Sequence, residues 1–297
     1  MSGVPDRPSG QPRPARRRYG LAALALLPFA LVVIFFLIAP TISLAWGSFH
    51  DLQGNFTLAN YGYLKGEDKS LQPFVNSIVL SAGTMIIGTI VGLVVAQAIL
   101  SARVRALEQL TITFSSVAAN FAGVPLAFAF IATLGASGLL TRWLLALGID
   151  IYSAGFTLYD ILGLAVVYSY FQIPLMILLI LPALQAMKRE WREASDNLGA
   201  DGPTYVRRVA IPVLMPSIIA SALLLFANAF GAYATAYALT TGFVAIVPIA
   251  ISNVIAGDVT FDPGQGDALA VGLAVIMAVC VVGQALLQRR AGRFLRS

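Results

Sequence analysis

Charge is scarce in this chain. Asp, Glu, Lys and Arg make up 11% of its 297 residues, while 58% are hydrophobic. An average soluble domain carries about 25% charge and 45–50% apolar residues. A soluble protein with a single anchor is excluded, because no ordinary soluble remainder is left. Cysteine is limited to Cys280, so no internal disulfide exists. Histidine is limited to His50, which has no second His or Cys with which to share a metal. The long apolar runs carry no charge near their centres. Such charges mark proton relays and ion-coupled sites, so their absence argues against ion-driven transport and against a membrane-embedded enzyme.

What is present is a series of long apolar runs. A helix needs about 20 apolar residues to cross the hydrocarbon core. Residues 20–46, 77–100, 110–135, 161–186, 212–239 and 268–287 meet that length. Backbone polar groups must be satisfied inside lipid, so the runs are expected to be helices. The expected class is all-α, a polytopic membrane protein with six spans. Two stretches, 138–149 and 243–255, are too short to cross about 30 Å and are expected to be interfacial or re-entrant.

Basic residues set the expected orientation. With the N-terminus inside and six spans, only Lys65, Lys69 and Arg142 of the 19 Lys and Arg fall outside. Both termini are then cytoplasmic, and the net charge of +5 follows from topology without nucleic acid. Residues 1–18 read as a disordered basic tail, 19–290 as the membrane domain and 291–297 as a second tail. The first run is about twice the length of a signal-peptide core, so it is expected to be retained.

The polar insert at 188–212 has its own pattern. Trp191, Ala194 and Leu198 share a helical face, and Arg189 and Glu193 form an i, i+4 pair. Gly199 is a helix stop. Asp201-Gly202-Pro203 is a restart, and Pro212 and Pro216 are expected in the first turns of the next span. On patterning alone, a helix–bend–helix lying on the headgroups is as natural as one that docks a partner.

Glu193-Ala194-Ser195, then Gly199-Ala200 after three residues, then Val209, Ile211-Pro212 and Pro216, resemble the EAA loop of type I permeases of binding-protein-dependent ABC importers, the MetI-like fold. Ser195 replaces a second Ala, Val209 an Ile and Ile211 a Leu, all mild changes. The resemblance implies that Glu193, Ala194, Ser195, Gly199, Ala200 and Pro212 belong to a coupling segment that docks on an ATP-hydrolysing subunit. It implies two such subunits, a second permease (identical or homologous) and an external solute-binding protein, all at the cell inner membrane. It also implies that the chain is no enzyme. It has no G-x-x-x-x-G-K-[ST] phosphate loop, so ATP and Mg would sit on partner subunits and no cofactor on this chain.

For the path itself, Phe226, Phe230, Tyr233 and Tyr237 follow helical spacing and are expected on one face, with Asn228 beside them. Packing alone would explain that face equally well. Asn120, Tyr168 and Gln172 are further candidates to line a cavity, and Pro174 is expected to kink the fourth span. The stretch 226–242 and the Pro73-Phe74 and Asn76-Ser77 pairs are similar to permeases for polyamines, iron, thiamine and aminoalkyl phosphonates. The resemblance therefore implies a small solute, polyamine or aminoalkyl phosphonate first, with sugar or glycerol phosphate as the alternative.

Overall fold

The computed structural model describes residues 26–51, 53–65, 68–102, 104–257 and 263–296. The expected tail at 1–18 lies outside the described residues. The helices are α1 (Leu26–Gly47), α2 (Asp68–Ala102), α3 (Arg105–Asn120), α4 (Val124–Leu134), α5 (Leu139–Ala146), α6 (Ile161–Gln185), α7 (Arg189–Asn197), α8 (Gly202–Phe230), α9 (Ala234–Thr240), α10 (Val247–Ile255) and α11 (Pro263–Arg296). The fold is all-α, and the one extended pairing among the described residues is an isolated bridge between His50 and Phe56. α11 continues as helix past position 290 to Arg296.

Among the described residues six stretches are long and apolar enough to cross a membrane: Leu26–Gly47, Leu71–Ala102, Val124–Ala146, Ile161–Gln185, Gly202–Phe230 and Gly264–Arg289. The third differs from expectation. A break at 121–123 splits the run at 110–135, and the third stretch is instead α4 with α5. Within 138–149 the eight-residue α5 falls inside that stretch, set apart from α4 by the extended backbone at Gly135 and Gly138. α10, at nine residues, spans about 14 Å and stays short of a crossing, as expected.

α2, α6, α8 and α11 pack as the central group. Close approach depends on small residues. A Cβ at Gly92 in α2 would stand 2.6 Å from Met176 Cβ in α6, and one at Gly231 would stand 3.1 Å from Met277 Cε in α11. α6 runs unbroken through Pro174 and Pro182 and contributes a dozen buried residues. α1 differs from these helices. None of its residues in the membrane window is buried, and it touches the rest through its C-terminal end against α11.

Among the described residues two π turns occur, at Ile34–Ile38 in α1 and Val206–Ala210 in α8. Each lies just before a proline, Pro40 and Pro212 respectively. A proline ring clashes with the carbonyl four residues back, and a widened turn there relieves that clash. The helix therefore passes through Pro212 unbroken. Pro212 is not in the first turn of a new span, as its position suggested. It sits inside a helix that begins at Gly202 and joins loop to membrane rigidly.

Candidate functional site

The polar insert folds as two helices joined by a tight bend. α7 carries Arg189 Nε to Glu193 Oε1 at 3.1 Å and Arg192 Nε to Asp196 Oδ1 at 3.0 Å. Both pairs are solvated and contribute about 0.3–0.5 kcal/mol each at most. The helix ends in a Schellman motif. Gly199 N–H donates to the Asp196 carbonyl at 3.0 Å and Ala200 N–H to the Ser195 carbonyl at 3.1 Å. Gly199 adopts φ +76°, which glycine reaches without a Cβ penalty. Asp201 then caps α8, accepting from Thr204 N–H at 3.1 Å. Hydrogen bonding to Thr204 holds the Asp201 carboxyl below the ordinary carboxylate value.

The Arg192 guanidinium stacks over the Tyr205 ring at 5.0 Å and pins α7 to the start of α8. Between the two helices lies a groove of about 540 Å3, lined by Trp191, Ala194, Ser195, Leu198, Thr204 and Val209 among others. Ser195 is buried, whereas Leu198 stands 87% exposed at the tip of the bend. An aliphatic side chain so exposed beside a rigid turn is a ready anchor for another surface.

A second constellation lies within the membrane helices. α3 ends at Asn120 and α4 starts at Val124, with Gly123 at φ +76°, ψ −150°, a region close to glycine-only. α8 ends at Phe230 and α9 starts at Ala234. Both breaks expose backbone groups that lipid cannot satisfy. Side chains from elsewhere do so. Thr235 Oγ1 accepts from Gly123 N–H at 2.7 Å. Tyr168 OH donates to the Ala232 carbonyl at 2.7 Å, and Gln172 Nε2 to the Leu225 carbonyl at 2.8 Å. Asn76 Nδ2 donates to the Ala245 carbonyl at 2.8 Å, and Ser77 Oγ accepts from Val247 N–H at 2.9 Å. The segment after α8 is thus held from α2, from α6 and from the Gly123 break, while Gln172 reaches a carbonyl inside α8 itself.

Residues 88–296 match the family described as the binding-protein-dependent transport system inner membrane component. The chain belongs to that family. Over 267 residues it is 30% identical to a probable ABC transporter permease of Sinorhizobium fredii, y4fN. That match covers 88% of this chain but 42% of the relative, so the chain spans less than half the relative's length. It is 31% identical over 153 residues to the spermidine/putrescine transport permease PotB of Haemophilus influenzae, covering 50% of this chain and 51% of that one. Among solved structures, a chain of the bacterial alginate ABC transporter, in complex with its alginate-bound periplasmic protein, superposes with a TM-score of 0.69. The two share 17% identity over 93% of this chain and 96% of that one, which speaks for the fold alone.

In this inner membrane component five of the six expected coupling residues lie together on α7 and the bend that follows it. Glu193 and Ala194 are exposed, Ser195 is buried, Gly199 and Ala200 form the turn, and Pro212 stands apart, nearly three turns into α8. The expected path residues separate into two sets. Asn120, Asn228 and Tyr237 are exposed, and Tyr233 is half-buried with its OH 2.8 Å from Ser252 Oγ. Tyr168, Gln172 and Phe230 lie in the packed interior at 0%, 0% and 1% exposure. The single aromatic face expected from Phe226 to Tyr237 does not form. The helix ends between Phe230 and Tyr233, leaving two separate ring pairs, Phe226–Phe230 at 5.6 Å and Tyr233–Tyr237 at 5.3 Å. Gly231 follows the last helical residue, and Tyr168, 64 positions away, captures the Ala232 carbonyl. Sequence reasoning missed Gly123, Thr235 and the pinning role of Arg192. The one available signal was Gly123 directly before Val124-Pro125, a helix-restart pattern.

Proposed function

We propose that this chain is the permease subunit of an ATP-driven importer, with its translocation path shared with a second permease. The observation that carries the reading is the bent two-helix insert at 188–212. Its turn is closed by glycine at the position where the coupling pattern requires one, and its second helix enters the membrane without a joint. A push on α7 is therefore delivered to α8 as a rigid-body movement, the transmission a motor subunit needs. Two ATP-binding subunits grip this loop from the cytoplasm, and an external binding protein delivers the solute on the other side. ATP and Mg are held by those subunits.

The exposed side chains Asn120, Asn228 and Tyr237 are the proposed lining of the path. Asn228 makes no side-chain hydrogen bond among the described residues, and an unpaired amide costs several kcal/mol in an apolar medium. A wet path or a partner's polar groups relieve that cost, and lipid does not. The exposed α1 is the surface proposed for the second permease. The cargo is a small solute, and the polyamine or aminoalkyl-phosphonate class is favoured over sugar or glycerol phosphate. A spermidine/putrescine permease among the relatives and the aromatic pairs near the path, which attract cations by about 0.5–2 kcal/mol, support that order.

The test is purification of the assembled complex in lipid, followed by ATPase measurement with its binding protein and a solute panel. Stimulation by one solute class and by no other is expected. Solute uptake that continues without any ATPase subunit sinks the proposal.

A further inference from the structure

The last turns of α2, the end of α6 and the first turns of α8 enclose a cleft of about 610 Å3. Leu93, Val94, Ala98, Leu184, Leu214 and Ile218 supply its apolar walls. The volume lies within the range of about 300–1,000 Å3 usual for small-molecule sites. A second cleft, of about 530 Å3, opens beside α7 and shares Gln97, Met187 and Tyr205 with the first. The two form one furrow, apolar at its membrane end and polar at its loop end.

The polar end sets Lys188, Arg189 and Arg192 against Glu193 and Asp196. Both arginines are engaged with those carboxylates, at 3.1 and 3.0 Å. Lys188 has no carboxylate partner among the described residues, and its Nζ stands 6.0 Å from the Trp191 ring centroid. One positive charge is therefore left over at the mouth of an apolar slot.

We propose that this furrow binds one membrane phospholipid with an anionic headgroup. An acyl chain fills the apolar cleft, and the phosphate sits at the Lys188 end. Three features favour this occupant. The apolar walls belong to membrane-crossing stretches, out of reach of a water-soluble partner. The furrow is concave and walled by three helices of one chain, which suits a slender hydrocarbon chain better than a helix about 10 Å across. Basic clefts between helices at the cytoplasmic surface favour anionic headgroups. The site takes its membrane side from the proposed importer topology, and its polar end adjoins Glu193 of the coupling loop, but it does not depend on what the path carries.

The full-length protein is reconstituted in nanodiscs of equal parts phosphatidylglycerol and phosphatidylcholine, then examined by native mass spectrometry. One phosphatidylglycerol retained per chain, in preference to phosphatidylcholine, is expected. Lys188→Glu, at an exposed position that provides no side-chain cap, is expected to lower phosphatidylglycerol retention about tenfold. Ala98→Phe, which fills the cleft, is expected to remove bound lipid of either kind. Equal retention of the two lipids by the native protein overturns the proposal, as does unchanged phosphatidylglycerol retention in both variants. Cross-linking of Ala98→Cys between two copies, in a Cys280→Ser background, overturns it too, because a second chain would then cover the slot.

Discussion

A side chain added at Gly199 meets no atom of this chain within 4 Å, yet the backbone there is left-handed. Strain and crowding can therefore be separated at this position. Gly199→Ala is expected to destabilise the bend by about 1 kcal/mol, and Gly199→Asn by less, because Asn tolerates this backbone region. Hydrogen exchange at Ala200 N–H measures that difference. Gly199→Asp is expected to abolish uptake while the protein remains in the membrane, because the only space left to collide with belongs to a partner. Normal uptake by that variant counts against the coupling role. At Asp201 the argument concerns pH. Its folded carboxyl is held low by Thr204, so its contribution is present above the ordinary carboxylate value and is lost as pH falls through the lowered one. Thr204 N–H is expected to lose exchange protection across that acidic window, and Asp201→Ala is expected to lack both the protection and its pH dependence.

At the scale of elements, the two breaks at 121–123 and 231–233 are bound to each other. Thr235→Val keeps the shape but leaves Gly123 N–H without an acceptor, at an expected cost of about 1–3 kcal/mol. Thr235→Ser is expected to recover most of it. Thermal melts in one detergent compare the three proteins directly. Gly92→Ala is expected to cost about 1–3 kcal/mol by the separate route of overpacking against Met176. The breaks also show where sequence reading stops. Asn120 and Pro125 point to a distortion of the third run, but the runs around 121–123 and 231–233 stay long enough to cross and periodicity does not place an interruption in either. Each interruption is decided by one hydrogen bond to a distant residue, 112 positions away for Gly123 and 64 for Ala232. The bend at Gly199, by contrast, was readable, because glycine stop, aspartate cap and proline restart are neighbours in the chain. Tyr168 and Gln172 looked like cavity residues because polar groups in apolar runs invite that reading. The structure uses them to bind backbone.

For the whole molecule, span number followed from run length, because hydrocarbon thickness admits few alternatives. α1 raises the remaining question of scale. Phe29, Phe35 and Phe36 are 69%, 65% and 79% exposed, so a single copy leaves the N-terminal half of this helix without support from the rest of the chain. The basic-residue asymmetry predicts both ends of the chain on the loop's side of the membrane. Single cysteines at positions 7 and 293, in a Cys280→Ser background, are expected to resist an impermeant reagent in intact cells and to react after lysis. Labelling at either position before lysis reverses the topology.

The widened turn before Pro212 has one more consequence. It stores a spare residue in the shaft that joins α7 to the membrane body. The wider turn absorbs that residue with little change of phase on either side. Deleting any one of 206–210 is therefore expected to restore a regular winding and leave the bend at Gly199 facing nearly as it does now, whereas a deletion from the regularly wound part of the shaft swivels everything upstream by about 100° about the helix axis. The aim of the handle thus tolerates a one-codon loss inside the wide turn and not outside it.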